Sequence, residues 1–387
     1  MNRGLTGRYE TTTVAGETVR AFIPGPLPPI PPLRLDGDLH LLLERALLAL
    51  GRLDSVSRLV EGTDLFLYAY VRKEAVLSSQ IEGTQSSLSD LLLFELDQSP
   101  GVPLDDVQEV SGYVAALNHG IRRLREDFPL STRLIRELHE KLLVKGRGSS
   151  KDPGQFRRSQ NWIGGTRPGT ARFVPPPHTA VAECMSDLEK FIHRERQELP
   201  AVVRAGLVHV QFETIHPFLD GNGRVGRLLI TLQLCSSGVL EKPLLYLSLY
   251  FKQHRAEYYR LLDAVRKDGD WEEWLRFFLR GVAETAEGAF ATARHLLDLF
   301  DRDQIRIQKM GRQAGSLLRV HEAFKQRPLC TIADAAKRAD LSFPAAAAAM
   351  QSLVRSGIVR ELTGRKRNRI FVYDKFFAAL NEGTGSR

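Results

Sequence analysis

Helical leucine spacing is the feature that most limits how this chain can fold. The segment DLHLLLERALLALGRLDSV, soon after Asp36, places leucines three and four residues apart, and this spacing puts them on one face of an α-helix. Strand patterns are scarce before residue 320. Further helices are predicted over residues 65–79, 89–95, 104–125, 132–143, 179–196, 200–213, 224–237, 251–267 and 271–301. We therefore predict an all-α fold for the body of the chain.

Two segments interrupt the helical pattern before residue 320. Within residues 1–35, FIPGPLPPIPPLRL has a proline at nearly every second position, so this part is predicted to be extended and to lie along the body of the protein. In RRSQNWIGGTRPGTARFVPPPH, the pieces NWIGG and ARFVP predict a short β-hairpin. Gly164 and Gly165 lie near one edge of it, and the Thr-Arg-Pro-Gly turn forms its tip.

The last 75 or so residues have a different pattern. SLLRVHEAFKQRP predicts a helix, and the following CTIADAAKRADLSFPAAAAAMQSLVRSGIV predicts helix, turn, helix, with Ser342 as the N-cap of the second. REL, the basic tip TGRKRNR and IFVYD predict a strand–turn–strand wing, which completes a winged helix-turn-helix. Because AAAAAMQSLV has few side chains that read a DNA groove, a protein-interaction module is the alternative.

Composition and charge narrow the function classes. The 387 residues are 43% hydrophobic, which suits two or three domains with sizeable cores. The net charge is +8; residues 302–387 alone carry about +10, and the rest of the chain is close to neutral. The C-terminal part is therefore a candidate nucleic-acid surface or a solvated one. The three cysteines are far apart. Such cysteines fit a reducing compartment, and the sequence shows no secretory signal and no apolar run of about 18 residues. We therefore predict a cytoplasmic protein without a membrane span.

The segment HPFLDGNGRVGR combines a base, a carboxylate, glycines and two arginines within residues 216–227. The backbone N–H groups around Gly221, Asn222 and Gly223 can point to one anion, and the helix that follows adds positive charge at its N-terminus. Arg224 and Arg227 share a helical face and suit phosphate oxygens. The Asp220 carboxylate together with phosphates would hold Mg²⁺. Neutral His216 could accept a proton, so we predict a phosphoryl- or nucleotidyl-transfer site.

This segment resembles the signature of the Fic family, HxFx(D/E)GNGRxxR, at every defined position. The resemblance implies an all-helical fold and transfer of AMP from ATP to a hydroxyl side chain of a target protein. It implies that His216 is the general base, Asp220 the Mg²⁺ ligand, and Arg227 the partner of the γ-phosphate. The residues implied to contact ATP are Gly221, Asn222, Gly223, Arg224, Val225, Gly226, Arg227, Tyr259 and Glu82.

The resemblance extends to the segments around this signature. The predicted hairpin, with Ile163, Gly164 and Gly165, resembles the family's flap, which would bind a target segment as an added strand. YFKQHRAEYYRLL resembles the helix on the nucleotide side, where Tyr259, together with Tyr258, would line the adenine pocket; ordinary helix packing is the alternative. His209 and Glu213 on the preceding helix either orient His216 or pack in the core, and we favour packing.

A second motif, LSSQIEGTQSS, resembles the family's inhibitory motif (S/T)xxxE(G/N). Ser78 and Glu82 lie four residues apart, so they share one helical face, and Gly83 ends the helix. A Glu82 carboxylate paired with Arg227 would remove the guanidinium that should hold the γ-phosphate. We therefore predict an autoinhibited enzyme. The implied domains are 1–110 with the inhibitory motif, a Fic catalytic domain at 111–300, and a winged helix-turn-helix domain at 312–380.

The sequence supports three hypotheses about function. The first is an autoinhibited protein adenylyltransferase whose C-terminal winged helix recruits a target protein or DNA, with ATP and Mg²⁺ bound and a homodimer as the expected assembly. The second is a DNA-binding regulator that uses the Fic domain as a nucleotide sensor. The third stays within the family: the enzyme uses another nucleotide donor, or removes AMP. The intact His216 favours catalysis over sensing.

Overall fold

The computed structural model of the chain describes residues 3–59, 64–96, 101–194, 198–365 and 367–382. Most of these residues are helical, as the leucine spacing predicts. The helices before residue 310 are α1 (Gly37–Leu59), α2 (Asp64–Ile81), α3 (Leu88–Phe94), α4 (Leu104–Arg125), α5 (Thr132–Leu142), α6 (Val181–Ile192), α7 (Ala201–Ile215), α8 (Asn222–Ser236), α9 (Ser248–Gln253), α10 (Arg255–Asp268) and α11 (Trp271–Gln308). The prediction of a mostly helical body is confirmed.

Helices α7 and α8 form the centre of the fold. Every residue of α7 from Val202 to Ile215 is buried, and α8 is buried along nearly its whole length. A helix that is buried on all sides needs neighbours all round it; α7 packs against α6, α8, α10 and α11, and α8 also packs against α4 and α5. The loop that joins α7 to α8 is therefore supported by most of the body.

The N-terminal segment contains a β-hairpin that the sequence reading missed. Strand β1 (Gly7–Val14) pairs antiparallel with β2 (Glu17–Pro24), with Val14 opposite Glu17. Ala15 and Gly16 form the two-residue turn with φ of 49° and 82°, the positive values that join tightly paired strands. Residues 1–35 were predicted only as extended. The prolines that favour an extended chain begin at Pro24, the last residue of β2, whereas the alternating segment RYETTTVAGETVRAFI before them forms the hairpin.

Most predicted helix ends agree with the structure to within two residues, but three predicted helices differ more. The single helix predicted over 251–267 is two helices, α9 and α10, because the backbone at His254 (φ −112°, ψ 36°) leaves the helical range. The helix predicted over 271–301 continues to Gln308. Helix α6 ends at Ile192, whereas the predicted end at residue 196 lies outside the described residues.

The predicted hairpin at residues 161–175 is reduced to one β-bridge, between Ile163 and Phe173. Two hydrogen bonds hold it, from the Ile163 N–H to the Phe173 carbonyl (2.8 Å) and back (3.1 Å). The chain beyond Phe173 pairs elsewhere, because the Val174 carbonyl accepts a hydrogen bond from Phe22 N in β2 (2.9 Å). The flap therefore packs against the N-terminal hairpin and is not a free β-hairpin.

The C-terminal elements follow the predicted order. They are α12 (Ala314–Gln326), β3 (Leu329–Thr331), α13 (Ile332–Ala339), α14 (Phe343–Arg355), β4 (Arg360–Glu361), β5 (Ile370–Val372) and α15 (Asp374–Asn381). The strands form an antiparallel sheet in the order β3-β5-β4. Ser342 caps α14, because its side chain accepts a hydrogen bond from Ala345 N at 3.4 Å. The winged-helix assignment stays a prediction, and Lys366 of its basic tip lies outside the described residues.

None of the helices in the described part of the chain is both long enough and apolar enough to span a membrane.

Candidate active site

The loop from His216 to Gly221 turns the chain from α7 into α8. His216 ends α7 in the left-handed region (φ 49°, ψ 61°), with its N–H still bonded to the Phe212 carbonyl. Gly221 is also left-handed (φ 76°) and directly precedes the first residue of α8. Glycine is suited to this angle because it has no Cβ to clash with the backbone. The loop therefore presents the N-terminal N–H groups of α8 next to His216.

Asn222 closes this loop with its side chain. Its Oδ1 accepts a hydrogen bond from Phe218 N (2.9 Å), and its Nδ2 donates to the Phe218 carbonyl (2.8 Å). The Phe218 ring is fully buried and stacks on the His139 ring at 3.7 Å with an angle of 4° between the planes. The side chain of Asn222 is thus used for the loop itself, and only its backbone N–H remains for an anion.

His139 and Arg157 support the loop, and the sequence reading named neither. His139 Nε2 donates to the Asp220 carbonyl (3.0 Å) while its Nδ1 accepts from Gly154 N (2.8 Å), and burial lowers its pKa to about 4. Buried Arg157 donates from Nε to the His216 carbonyl (3.0 Å). Both lie far from the motif in sequence and match no pattern in it, so spacing alone could not have identified them.

We expect Asn222→Ala to lower the free energy of unfolding by about 1–3 kcal/mol, because it leaves the buried Phe218 N–H without a partner, whereas the Phe218 carbonyl keeps a hydrogen bond from Asn161 Nδ2 (3.0 Å). Chemical denaturation of the wild type and the variant measures the change. Asn118→Ala, at an exposed position of α4, is the matched control and should change stability by less than about 0.5 kcal/mol. An Asn222→Ala protein as stable as the control would contradict the role of this side chain.

His216 lies in the loop as a neutral imidazole. Burial, together with the nearby charge of Arg157, lowers its pKa to about 4. Its Nδ1 has no hydrogen-bond partner among the described residues and lies 4.0 Å from Glu213 Oε2. Burial raises the pKa of Glu213 to about 7. Because Nδ1 is buried beside Glu213, Nε2 is the ring nitrogen with which neutral His216 can accept a proton at neutral pH.

Arg224 is held by two carboxylates. Its side chain is 1% exposed; one terminal nitrogen bonds Glu109 Oε2 at 3.0 Å and the other bonds Asp220 Oδ1 at 3.3 Å. Glu109, on α4, was not identified from the sequence; it also pairs with exposed Arg147 at 3.2 Å. Arg224 Nε has no hydrogen-bond partner in the described part of the chain, which leaves one donor of this buried guanidinium unused.

Asp220 has one carboxylate oxygen suited to a metal ion. Oδ1 accepts hydrogen bonds from Gly221 N and Arg224. Beside Oδ2 lies Gly148, where a side chain would come within 2.9 Å of that oxygen. Within the described ranges, no group of three or more histidine, cysteine or acidic side chains forms a metal site. Mg²⁺ needs only one or two carboxylates when it shares phosphate oxygens, so Asp220 fits this ion.

Arg227 is bonded to both residues of the second motif. Its Nε donates to Ser78 Oγ at 2.8 Å, and one terminal nitrogen donates to the Ser78 carbonyl at 3.0 Å and to Glu82 Oε1 at 2.6 Å. Burial alone would raise the pKa of Glu82, but the Arg227 charge outweighs it and the pKa is lowered. The sequence predicted this pairing between residues 145 positions apart.

The Glu82 carboxylate lies directly over the start of α8. A Cβ at Gly223 would come within 2.2 Å of Glu82 Oε1 and 3.1 Å of Arg227 Nη1, so this position accepts the carboxylate only because it is glycine. Gly83 follows with φ of 101° and turns the chain away from α2. An anion thus already occupies the space between Gly223 and Arg227.

Buried polar groups extend the Arg227 contacts into the core. Glu74, one turn before Ser78 on α2, accepts hydrogen bonds from the Ser248 hydroxyl (2.5 Å) and from the Tyr113 hydroxyl (3.2 Å). Burial raises the pKa of Glu74 to about 7. Glu74, Ser78 and Glu82 are spaced four residues apart, so α2 presents one polar face toward α4, α8 and α9. This face fixes the position of the Glu82 end of α2.

The remaining predicted contacts divide into two groups. Tyr259 is half-buried and its pKa is raised, first by burial and then by the charge of Glu82, so it lies near the Glu82–Arg227 pair. Tyr258 is buried in the core, where its hydroxyl donates to His209 Nε2 at 2.8 Å. The ring of His209 also donates from Nδ1 to the Gly226 carbonyl at 2.9 Å. Tyr258 and His209 therefore face the core and not the nucleotide side.

Two residues within the motif turn away from the loop surface. The Val225 side chain is fully buried in the core, which leaves only its backbone for a ligand. Gly226 packs against Glu213, whose Oε1 would be 2.4 Å from a Cβ at that position. In the flap, Ile163 makes the bridge described above, and Gly164 and Gly165 follow with φ of 69° and 80°.

Comparison with known proteins identifies what this loop resembles. Residues 40–122 match the family model described as Fic/DOC family N-terminal, and residues 129–234 match the model described as Fic/DOC family. The chain is 30% identical over 256 residues to "Protein adenylyltransferase Fic" of Culex quinquefasciatus, covering 62% of this chain and 47% of that protein. It is 31% identical over 188 residues to the protein of the same name in Drosophila melanogaster, covering 48% of this chain and 34% of that one.

Two solved structures share the fold. A Fic family protein from Desulfovibrio desulfuricans G20 aligns with a TM-score of 0.58 at 19% identity, over 89% of this chain and 98% of that one. Fic-1 (residues 134–508) from C. elegans aligns with a TM-score of 0.51 at 26% identity, over 67% of this chain and 74% of that one. The chain spans less than half the length of the two insect relatives.

Proposed function

Because the chain belongs to the Fic/DOC family, we propose that it is a protein adenylyltransferase that transfers AMP from ATP to a serine, threonine or tyrosine hydroxyl of a target protein. One observation carries the proposal. The Glu82 carboxylate lies between Gly223 and Arg227, near His216. A site that holds a carboxylate at the N-terminus of a helix, against a buried arginine, has the charge that a phosphate group requires.

The reaction uses the groups of the loop in order. Neutral His216 accepts the proton of the target hydroxyl as its oxygen attacks the α-phosphorus of ATP. The bond between this phosphorus and the oxygen that bridges to the β-phosphate breaks, and diphosphate leaves. The N–H groups of the first turn of α8 stabilise the negative charge on the phosphates. Mg²⁺, held by Asp220, would offset further charge on the phosphate oxygens.

Autoinhibition follows from the same geometry. Arg227 is the residue we assign to the γ-phosphate, and in this structure its guanidinium is bonded to Ser78 and Glu82. While Glu82 remains there, the γ-phosphate cannot reach Arg227, and the α-phosphate is not aligned with His216. We therefore propose that the chain with Glu82 in place has low activity.

Tyr259 would contact the base of ATP, and the flap at Ile163, Gly164 and Gly165 would position the target segment.

The donor nucleotide and the type of transfer can be tested together. We expect the Glu82→Gly protein with Mg²⁺ to take up label from α-labelled ATP and not from γ-labelled ATP, because AMP, and not phosphate, is transferred. Label from the γ position would overturn the proposal in favour of phosphorylation. Uptake of label from α-labelled GTP, UTP or CTP instead of ATP would show that the donor is that nucleotide and not ATP. Release of AMP from a labelled target would point to the reverse reaction.

The pH dependence of this transfer tests His216 as the base. The pKa of His216 is about 4, and the Glu82 charge is one of the influences that raise it, so Glu82→Gly should lower it further. A base acts in its neutral form. We therefore expect the rate of the Glu82→Gly protein to stay nearly constant from about pH 6.5 to about pH 5, below the pKa of neighbouring Glu213, whereas an ordinary histidine would lose activity over this range. A fall in the rate below about pH 6.5 would contradict a pKa of about 4 for His216.

A second function rests on the C-terminal elements. Residues 302–387 carry a net charge of about +10, which suits contact with DNA or with an acidic protein surface. We propose that this part recruits a partner. A DNA mobility shift that weakens with salt and survives His216→Ala would support the reading in which the Fic domain is a nucleotide sensor of a DNA-binding regulator.

The assembly and the compartment stay predictions. Helix α1 exposes Leu41 and Leu48, whose side chains are 65% and 64% accessible, and this apolar face supports the proposed homodimer. Sedimentation equilibrium of the wild type and of Leu48→Glu tests it, since a charge on the shared face would dissociate a dimer. The cytoplasmic location is proposed from the three cysteines, which are free thiols in the structure.

A further inference from the structure

A second cavity, of about 570 Å³, opens at the far end of α7 and α8. Residues from the ends of α4, α6 and α8 and the start of α7 line it, with apolar walls that include Ile121, Leu124 and Ile192. Arg204 lines it from α7 and Gln233 from α8. Each lies about 18 Å along its helix from the active-site loop, at 1.5 Å per residue. The cavity has the size of small-molecule sites in proteins and is separate from the phosphate site.

Arg204 is a largely buried cation that has no counter-charge among the described residues. The residue is 9% exposed, and its Nε is buried with no hydrogen-bond partner in the described part of the chain. No described residue forms an ion pair with it, and the pKa of Arg204 is lowered by burial alone. A buried charge normally has a partner, because removing an ion from water is costly unless another group compensates it.

Gln233 is a buried acceptor without a donor. The residue is 2% exposed, and its Oε1 has no hydrogen-bond partner among the described residues. The charged residues Arg125, Asp127 and Glu241 also line the cavity, but they are exposed to solvent. The buried part of the cavity therefore offers one positive charge, one hydrogen-bond acceptor and apolar walls.

We propose that this cavity binds a small carboxylic acid whose carboxylate pairs with Arg204 and whose hydroxyl or amino group donates to Gln233 Oε1. A carboxylate carries one negative charge, which balances one guanidinium and forms two parallel hydrogen bonds with it. A phosphate dianion would bring a second negative charge, and exposed Arg125 is already outnumbered by Asp127 and Glu241 at the rim of the cavity. The apolar walls favour a short hydrocarbon side chain on the acid. The ligand is thus a small hydroxy or amino acid.

Saturation-transfer NMR with 2-hydroxy-3-methylbutanoate as the probe tests the proposal on the full chain. We expect a signal with the wild type, the loss of most of it with Arg204→Met, and an unchanged signal with Arg133→Met, which removes an exposed arginine from α5. The acid without the hydroxyl, 3-methylbutanoate, should bind more weakly, and Gln233→Leu should abolish the difference between the two acids. Equal signals from the wild type and Arg204→Met would overturn the site, and displacement by equimolar inorganic phosphate would overturn its preference for a carboxylate.

Thermal unfolding without ligand separates a binding role of Arg204 from a structural one. Removing a buried charge that has no partner should raise the midpoint of Arg204→Met by about 2–4 °C. Arg204→Gln, which keeps a polar group there, should show a smaller rise and the same loss of probe signal. A fall of the midpoint in both variants would show that the guanidinium stabilises the fold, and would overturn the proposal.

Discussion

Glu82→Gly is expected to raise the rate at which the protein labels itself with AMP by about 100-fold. The substitution removes the carboxylate that bonds Arg227 at 2.6 Å and frees the guanidinium for the γ-phosphate. A charge-assisted hydrogen bond of this kind contributes about 1.5–3 kcal/mol, and about 2.7 kcal/mol corresponds to a factor of 100 in rate. Uptake of label from α-labelled ATP over time, followed by gel and by mass spectrometry, measures the change.

Two variants serve as controls for this result. Glu82→Gln keeps the shape of the side chain but not its charge, so we expect a rate between the wild type and Glu82→Gly. Glu126→Gly removes an exposed glutamate that also pairs with an arginine and should leave the rate unchanged. If Glu82→Gly labels itself no faster than Glu126→Gly, Glu82 does not restrain the enzyme.

His216→Ala in the Glu82→Gly background is expected to lower the labelling rate by about 10²–10⁴-fold, the usual contribution of a general base. ATP binding should change little, because the groups assigned to the phosphates belong to α8 and not to the His216 side chain. Isothermal titration with ATP and the labelling assay together separate these effects. His178→Ala, at an exposed position, is the matched control. A double variant that retains the rate of Glu82→Gly would exclude His216 as the base.

The sequence predicted the motif geometry because the motif is local. The glycines, Asn222 and the helix that follows lie within one short segment, and the positive φ of Gly221 is a property of that residue type. The Glu82–Arg227 pair joins distant segments, and it was predicted because both segments resemble motifs of the Fic family. Periodicity also located the helices, since leucine spacing reports burial on one face.

The supports of the site were not predicted because they have no local signal. His139, Arg157 and Glu109 act through contacts with residues 59 to 115 positions away, and single arginines, histidines and glutamates in a helix or loop look like surface residues. The flap is shorter than the predicted hairpin for a related reason. The strand that pairs with Val174 is β2, more than 150 residues earlier, and hairpin patterns in sequence consider only neighbouring segments.

The central claim is that Glu82 restrains transfer by occupying Arg227, and one comparison of labelling rates tests it most directly. Glu82→Gly is measured beside the double variant Glu82→Gly/Arg227→Gln, with thermal unfolding to establish that both are folded. We predict that the double variant loses the gain and labels itself no faster than the wild type, because the freed guanidinium is what the γ-phosphate needs. If the double variant labels itself as fast as Glu82→Gly, then Arg227 is not the residue through which Glu82 acts.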